Sequence, residues 1–485
     1  MENKQAQLFI VVGVVVVLLL MMHALPSLKV GEIALRDVDI LSDVLPELDA
    51  DENDRSPFAL PNDSVTQQLS RRERKKDGRS ERRDEKASSP DGDDVTVEYP
   101  GDVQGGDPVT EKNGNTGGAV QNCIVDYSGG GAHGLSGFYG ALDRLSSLGR
   151  PVRVAYWGDS YIEADILTCD LREKLQDRFG GQGPGWVDCG KTTNSTRPTV
   201  KQRTNGFKSH SVVEKGYRAS LLGISQRYFS VDGSALLTLS GTNYRHHLGQ
   251  WAHSLLYFKT SHPITITAMA GGQEQTFRVD GTDRLQYIDL PVQAGQAKWS
   301  IEGAEHATFF GAALEGNSGV VVDNMAMRGC AGMTLSQVPL STLEQFAQMR
   351  PYDLLVLQYG LNVTSGKVSA KWFDHYRDSM GKVVAQLKRA FPGATILVVS
   401  VPDRGSRKNG QIQTMAGIEE LVEAQRQVAQ QQRVVFLNLY GLMGGRNSIA
   451  DLVAKKYVGH DYTHISFNGG RYIGGKIYEA LMSQY

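Results

Sequence analysis

Four short segments of this 485-residue sequence carry side chains able to do chemistry. They are Gly158-Asp159-Ser160; the run Asp323-Asn324-Met325-Ala326-Met327-Arg328-Gly329-Cys330-Ala331-Gly332; Gln358-Tyr359-Gly360-Leu361-Asn362; and Gly459-His460-Asp461-Tyr462-Thr463-His464, close to the C-terminus. Ser160 is the organising residue. It stands where an apolar, β-forming run (152–157) gives way to helical spacing at Ile162, Ile166, Cys169, Leu171, Leu175 and Phe179. A serine at such a junction exposes its hydroxyl at the carboxyl end of a strand, beside backbone N–H groups that can face an anion, so it is well placed to be a nucleophile. Each segment also has a plainer explanation. Asp159 and Ser160 suit a helix N-cap, Asp159 can brace the turn, and His464 can cap the closing helix or fill the core. Asp461 can be an ordinary loop acid, Asn362 and Gly329 turn residues, the latter supplying a positive φ. His460 reads as a bystander.

The elements around these segments alternate. Helical texture at 133–148 leads into the Ser160 strand. From Gly319 onward, strands at 320–322, 352–358, 395–401 and 434–439 alternate with helices at 340–349, 372–390, 418–431 and 471–482. Such alternation predicts an α/β fold with a parallel sheet covered on both faces. Ligands in these sheets sit outside the carboxyl ends of the strands, where the four segments fall.

Between them the texture changes. Strand-like pieces at 228–231, 235–240, 255–259, 264–268, 276–279, 285–290, 298–301 and 308–312 are separated by Asp232-Gly233, Gly271-Gly272, Asp280-Gly281 and Ala294-Gly295. That predicts an inserted antiparallel β-sandwich or jelly roll. Its aromatics Tyr244, Trp251 and Tyr257 could stack on sugars, but strand aromatics are commonly core, and none is assigned to a site.

The net charge of −2 offers no case for a nucleic-acid partner. Residues 8–22 form an apolar run of about 23 Å as a helix. Without a small-residue cleavage site after it, the run predicts a retained transmembrane anchor rather than a removed signal peptide. Residues 50–118 combine Arg71-Arg72-Glu73-Arg74-Lys75-Lys76 with an acidic stretch and glycine pairs, the composition of a disordered, solvated tether. The four cysteines, Cys123, Cys169, Cys189 and Cys330, lack metal-ligand spacing. In an exported domain a Cys169–Cys189 bridge is one arrangement, and buried thiols are another.

Taken together, Gly158-Asp159-Ser160, Gly329, Gly360-Leu361-Asn362 and Asp461-Tyr462-Thr463-His464 resemble, in order, the four blocks of the SGNH (GDSL-like) hydrolases. Ser160-Tyr161-Ile162-Glu163-Ala164-Asp165, the following Leu171-Arg172-Glu173-Lys174-Leu175-Gln176, and a β insertion between the first and second blocks are similar to bacterial peptidoglycan O-acetylesterases with a carbohydrate-binding-module-like insert. The resemblance implies a flavodoxin-like SGNH sheet, with Ser160 as nucleophile, His464 as base and Asp461 as its orienting partner. It further implies an oxyanion hole from the N–H groups of Ser160 and Gly329 and the Asn362 amide, and neither metal nor organic cofactor. Tyr161 and Val363 depart from the family pattern and are expected on substrate-facing surfaces.

The resulting organisation is an anchor (1–28), a juxtamembrane segment and linker (29–118), hydrolase sequence (119–197), the β insertion (198–314) and further hydrolase sequence (315–485). The expected function is a serine esterase of the bacterial cell envelope, tethered to the inner membrane with its catalytic domain in the periplasm. Its partners would be the membrane and an acetylated glycan, peptidoglycan foremost. An O-acetyltransferase using the same triad and a non-catalytic glycan-binding protein are the alternatives.

Overall fold

The computed structural model describes residues 123–190, 196–364 and 369–485, together with the backbone of a short antiparallel ladder pairing Lys29–Val30 with Ile33–Ala34. The expected anchor at 8–22 and the tether at 50–118 lie outside the described residues. Among the described residues no helix is long and apolar enough to cross a membrane.

In chain order the elements begin with β1 (Ile124–Asp126), α1 (Leu135–Asp143), β2 (Val152–Gly158), α2 (Thr168–Phe179) and β3 (Gly185–Val187). The insertion supplies β4 (Lys201–Ser211), β5 (Arg227–Ser240), β6 (His253–Thr260), β7 (Ile264–Ala270), β8 (Gln273–Val279), β9 (Thr282–Leu290), β10 (Gln296–Glu302) and β11 (Ala307–Glu315). There follow β12 (Val320–Ala326), α3 (Leu340–Met349), β13 (Leu354–Gln358), α4 (Ala370–Ala390), β14 (Thr395–Val399), β15 (Gly405–Lys408) and β16 (Gln411–Thr414). The chain closes with α5 (Ile418–Gln432), β17 (Val435–Leu437), α6 (Leu439–Leu442), α7 (Ser448–Ala454) and α8 (Phe467–Met482).

The central sheet runs β12-β2-β13-β14-β17-β1. Its first five strands are parallel, and β1 closes the edge antiparallel to β17. Every residue of β2, β13 and β14 is buried, so both faces of the sheet are covered. That is why these strands read as continuous apolar runs rather than as alternating ones. Register places Ala326, Gly158 and Gln358 side by side at the strands' carboxyl ends. The three segments that leave those residues emerge next to one another.

The eight strands of the insertion and β3, which pairs with β11, form one continuous nine-stranded antiparallel sheet rather than two separate ones. The first half of β5 pairs with β11 and its second half with β10, so the sheet bends at β5 around its own core. Phe229, Leu237, Leu256, Phe258, Ile266, Trp299 and Phe309 fill that core. Burial ties it to the hydrolase sheet through charge. Glu315, at the end of β11, takes Arg153 of β2 at 2.6 Å and Arg350 at 2.8 Å, and Arg350 also pairs with Asp323 of β12 at 2.7 Å. Burial opposes ionisation of Glu315, but the two guanidiniums outweigh it and hold the carboxyl at about 2.

Several expectations need correction. Asp232-Gly233 does not break the strand; β5 runs through it, with Gly233 at φ +91°. The long strand β4 was missed because lysines, arginine and polar residues dominate it, a composition that suits an edge. The β15–β16 hairpin was passed over although Asn409 and Gly410, both at positive φ, are a strong hairpin signal. Helix after Ser160 begins at Thr168, not Ile162. Ser160–Asp165 is a 3-10 turn, kinked at Ala164 and Asp165, whose φ values are +55° and +65°. The buried Asp165 carboxylate explains the kink. It accepts from Arg172 at 2.8 Å and Thr199 at 2.7 Å, and also takes Thr168 and Arg197. All four cysteines are buried thiols, so the Cys169–Cys189 bridge is absent.

Candidate active site

β2 ends at Gly158 because nothing larger fits: a Cβ there would lie 2.8 Å from the Gln358 carbonyl oxygen and 2.9 Å from the Ile162 side chain. The chain then turns immediately. Asp159 is 1 % exposed and stitches the turn. Its Oδ1 accepts the Tyr161 N–H at 3.0 Å, and its Oδ2 accepts the N–H groups of Gly360 and Leu361 at 3.2 and 3.1 Å. One carboxylate thus fixes the Ser160 turn against the segment that carries Asn362. Burial pushes its pKa up to about 6, although these three N–H donors pull the other way.

The closing segment is a tight loop. Val458 and Ile465 form a bridge at its base, and the Gly459 N–H donates to the His464 carbonyl at 2.8 Å. Asp461 Oδ1 accepts the N–H groups of Thr463 and His464 at 3.1 and 3.0 Å, and Tyr462 takes a left-handed φ of +56°. The loop therefore turns the Asp461 and His464 side chains toward each other. His464 Nδ1 lies 2.6 Å from Asp461 Oδ2, and His464 Nε2 lies 2.9 Å from Ser160 Oγ. Partial desolvation opposes ionisation of the exposed Asp461, but the His464 ring and the two backbone donors outweigh it and hold the carboxyl below its ordinary range.

Gly329 sits at φ +76°, so the glycine is needed there for backbone reasons. Asn362 is buried, and its Nδ2 donates to the Cys330 carbonyl at 3.1 Å. That bond joins the Gly329 and Asn362 segments. An amide NH2 has two hydrogens, so this contact leaves the second for a ligand. Chemically, the arrangement offers a hydroxyl, an imidazole in contact with it, and a carboxylate in contact with the imidazole.

Other expectations fare differently. His460 is exposed. Tyr161 and Val363 do not face a substrate surface. Both are buried, and the Tyr161 hydroxyl points at Met443 Sδ, because the 3-10 turn directs residue 161 into the core. Trp251 and Tyr257 are core, while Tyr244 packs edge-on to Phe467 beneath the Arg245 guanidinium. Among the described residues, no His, Cys, Asp or Glu cluster is arranged to hold a metal ion.

Arg404 was missed. It is buried beyond the end of β14, and its Nη1 donates to the carbonyls of Leu361 and Thr364 at 2.7 and 3.0 Å. Its Nε donates to Thr463 Oγ1 at 3.2 Å, so one guanidinium spans the Asn362 segment and the closing loop. The available signal was an arginine just past the carboxyl end of a core strand.

Parallel sheet, strand-end serine and closing histidine are together similar to the arrangement of SGNH-type hydrolases. Residues 296–469 match the model of the GDSL-like lipase/acylhydrolase family. The matched span holds Gly329, Asn362, Asp461 and His464, with Ser160 upstream of it. A solved peptidoglycan O-acetylesterase superposes with a TM-score of 0.62 at 19 % identity, over 75 % of this chain and 99 % of that one. A family two carbohydrate esterase from Clostridium thermocellum aligns over 59 % of this chain and 98 % of its own, at 11 % identity and a TM-score of 0.27, too loosely to inform the site. No curated protein matches the chain.

Proposed function

We propose that this protein is a serine esterase that removes O-acetyl groups from an envelope glycan, peptidoglycan foremost. The observation that carries the reading is the continuous contact from Ser160 Oγ to His464 Nε2 at 2.9 Å and from His464 Nδ1 to Asp461 Oδ2 at 2.6 Å. The family match over 296–469 supports acyl-ester chemistry. The superposition on a peptidoglycan O-acetylesterase, nearly all of whose length is matched, supports the glycan.

In this reading Ser160 Oγ attacks the acetyl carbonyl while His464 Nε2 takes its proton. Asp461 holds the ring so that Nε2 faces the serine, and its charge stabilises the imidazolium. The tetrahedral oxyanion is met by the N–H groups of Ser160 and Gly329 and by the unused hydrogen of the Asn362 amide. His464 then gives that proton to the departing sugar oxygen as its bond to the acetyl carbon breaks, leaving acetyl-Ser160 and a free sugar hydroxyl. Water, deprotonated by the same ring, releases acetate. The apolar run at 8–22 supports a membrane tether, and a peptidoglycan substrate calls for the catalytic part in the periplasm.

The test is acetate release by the full-length protein from O-acetylated peptidoglycan, with acetylated xylan alongside and Ser160→Ala as control. Release from peptidoglycan that vanishes in the variant upholds the reading; undiminished release by Ser160→Ala discards it. Equal release from xylan removes peptidoglycan as the preferred glycan.

A further inference from the structure

One buried polar side chain of the insertion reaches out of its own sheet toward the site. Gln226, just before β5, is fully buried and has φ +60°, a left-handed conformation that is unfavourable for a non-glycine residue. Its backbone is held on both sides: its N–H donates to the Gly223 carbonyl at 2.9 Å, and its carbonyl accepts the Val212 N–H at 3.2 Å. Both ends of its amide are used. Nε2 donates to the Tyr359 hydroxyl at 3.2 Å, while Oε1 accepts from Thr334 Oγ1 at 3.1 Å and faces the Cys330 thiol at 3.8 Å.

Those partners belong to the two segments proposed to meet the oxyanion. Cys330 adjoins Gly329, and its carbonyl holds the Asn362 amide. Tyr359 adjoins Gly360 in the Asn362 segment. The same stretch of the insertion is sewn to the strand ends below. Arg227 Nη1 donates to the Ala326 carbonyl at 2.8 Å, and Trp157 Nε1 donates to the Ile224 carbonyl at 2.8 Å.

We propose that Gln226 is a positioning residue through which the β insertion sets the spacing between the Gly329 and Asn362 segments. The insertion is then a working part of the catalytic centre in addition to any glycan contact it makes. A strained, buried residue persists where its surroundings over-determine it; here Gly223 and Val212 of the insertion hold the backbone, and the side chain meets the two segments beyond the hydrolase strand ends. The inference rests on the oxyanion roles proposed above for Gly329 and Asn362.

The test uses the full-length protein and p-nitrophenyl acetate, a substrate too small to need a glycan-binding surface. Gln226→Leu is expected to lower kcat about a hundredfold, the scale of a displacement near 1 Å, with KM within about twofold. Methylboronic acid, whose adduct with Ser160 mimics the charged intermediate, should bind that variant more weakly by a similar factor. Gln226→Glu covers the case in which the leucine variant does not fold. It keeps the size and the acceptor, and burial raises its carboxyl pKa, so its rate relative to the unmodified protein should fall as pH rises and the carboxylate forms. Unchanged kcat in Gln226→Leu, or a pH-independent ratio in Gln226→Glu, overturns the inference. Activity surviving in Ser160→Ala would instead remove the esterase reading beneath it.

Discussion

Ser160 Oγ lies 2.9 Å from His464 Nε2 although 304 residues separate the two along the chain. The contact depends on β2 delivering the serine at one strand end and on a loop bridged at Val458 and Ile465 returning the imidazole to it. Perturbing each support in turn should have a distinct effect.

Asp461→Asn should keep the loop but lose the ring's orientation. The asparagine side-chain oxygen can still accept from the Thr463 and His464 N–H groups, whereas its NH2 would oppose the protonated Nδ1. The expectation is a fall in kcat of about 10⁴ with KM little changed, measured on acetyl esters near neutral pH. A fall below tenfold would mean that Asp461 does not orient His464.

Asn362→Ala removes both the donor offered to an oxyanion and the link to the Cys330 carbonyl. Loss of one such donor costs roughly 3 kcal/mol of transition-state stabilisation, a factor of hundreds in kcat. Comparable kcat in variant and parent would assign Asn362 to loop structure alone.

Arg404→Met takes a buried donor from Leu361, Thr364 and Thr463 together. We expect about 2–4 kcal/mol of lost stability, read by denaturant unfolding, and a kcat reduced more than tenfold. Arg404→Lys should fall between the two because one ammonium cannot reproduce the planar fork.

Asp159 makes stability depend on pH in the direction opposite to a salt-bridged carboxylate. Its folded pKa, raised to about 6 by burial, exceeds the ordinary 3.8. The folded state therefore binds this proton more tightly than the unfolded chain does. The contribution, on the order of 3 kcal/mol, is fully present below about pH 4 and is lost as pH rises through about 6. Asp159→Asn presents an NH2 to the Gly360 and Leu361 N–H groups, or loses the Tyr161 contact if flipped, so it should be less stable throughout. Its deficit relative to the parent should be widest near pH 4 and narrow toward pH 6–7, measured as unfolding midpoints. A deficit that widens with pH would mean that the three N–H donors outweigh burial.

Much of the hydrolase sheet was legible because strands buried on both faces leave unbroken apolar runs, and α3, α4 and α5 carry clear helical spacing. The positions of Ser160 and Asn362 were readable for the same reason, since each falls just past the end of such a run, whereas His464 was readable from its place before the closing helix. What escaped was whatever is decided by contacts distant in sequence. Asp165 gathers Arg172, Arg197 and Thr199 around itself, and no local pattern announces that this will delay a helix. Tyr161 turns inward for reasons visible only once Met443 is beside it. β4 looks like a loop until β5 supplies its hydrogen bonds. Arg404 and Gln226 are single polar residues whose meaning lies entirely in carbonyls and hydroxyls contributed by other segments.

The four buried thiols have a practical corollary. Because no covalent cross-link holds the described fold together, its packing is indifferent to the redox state of its surroundings. Material made in a reducing cytosol should match material made in an oxidising compartment, with dithiothreitol leaving the unfolding midpoint where it was and no oxidoreductase needed during maturation.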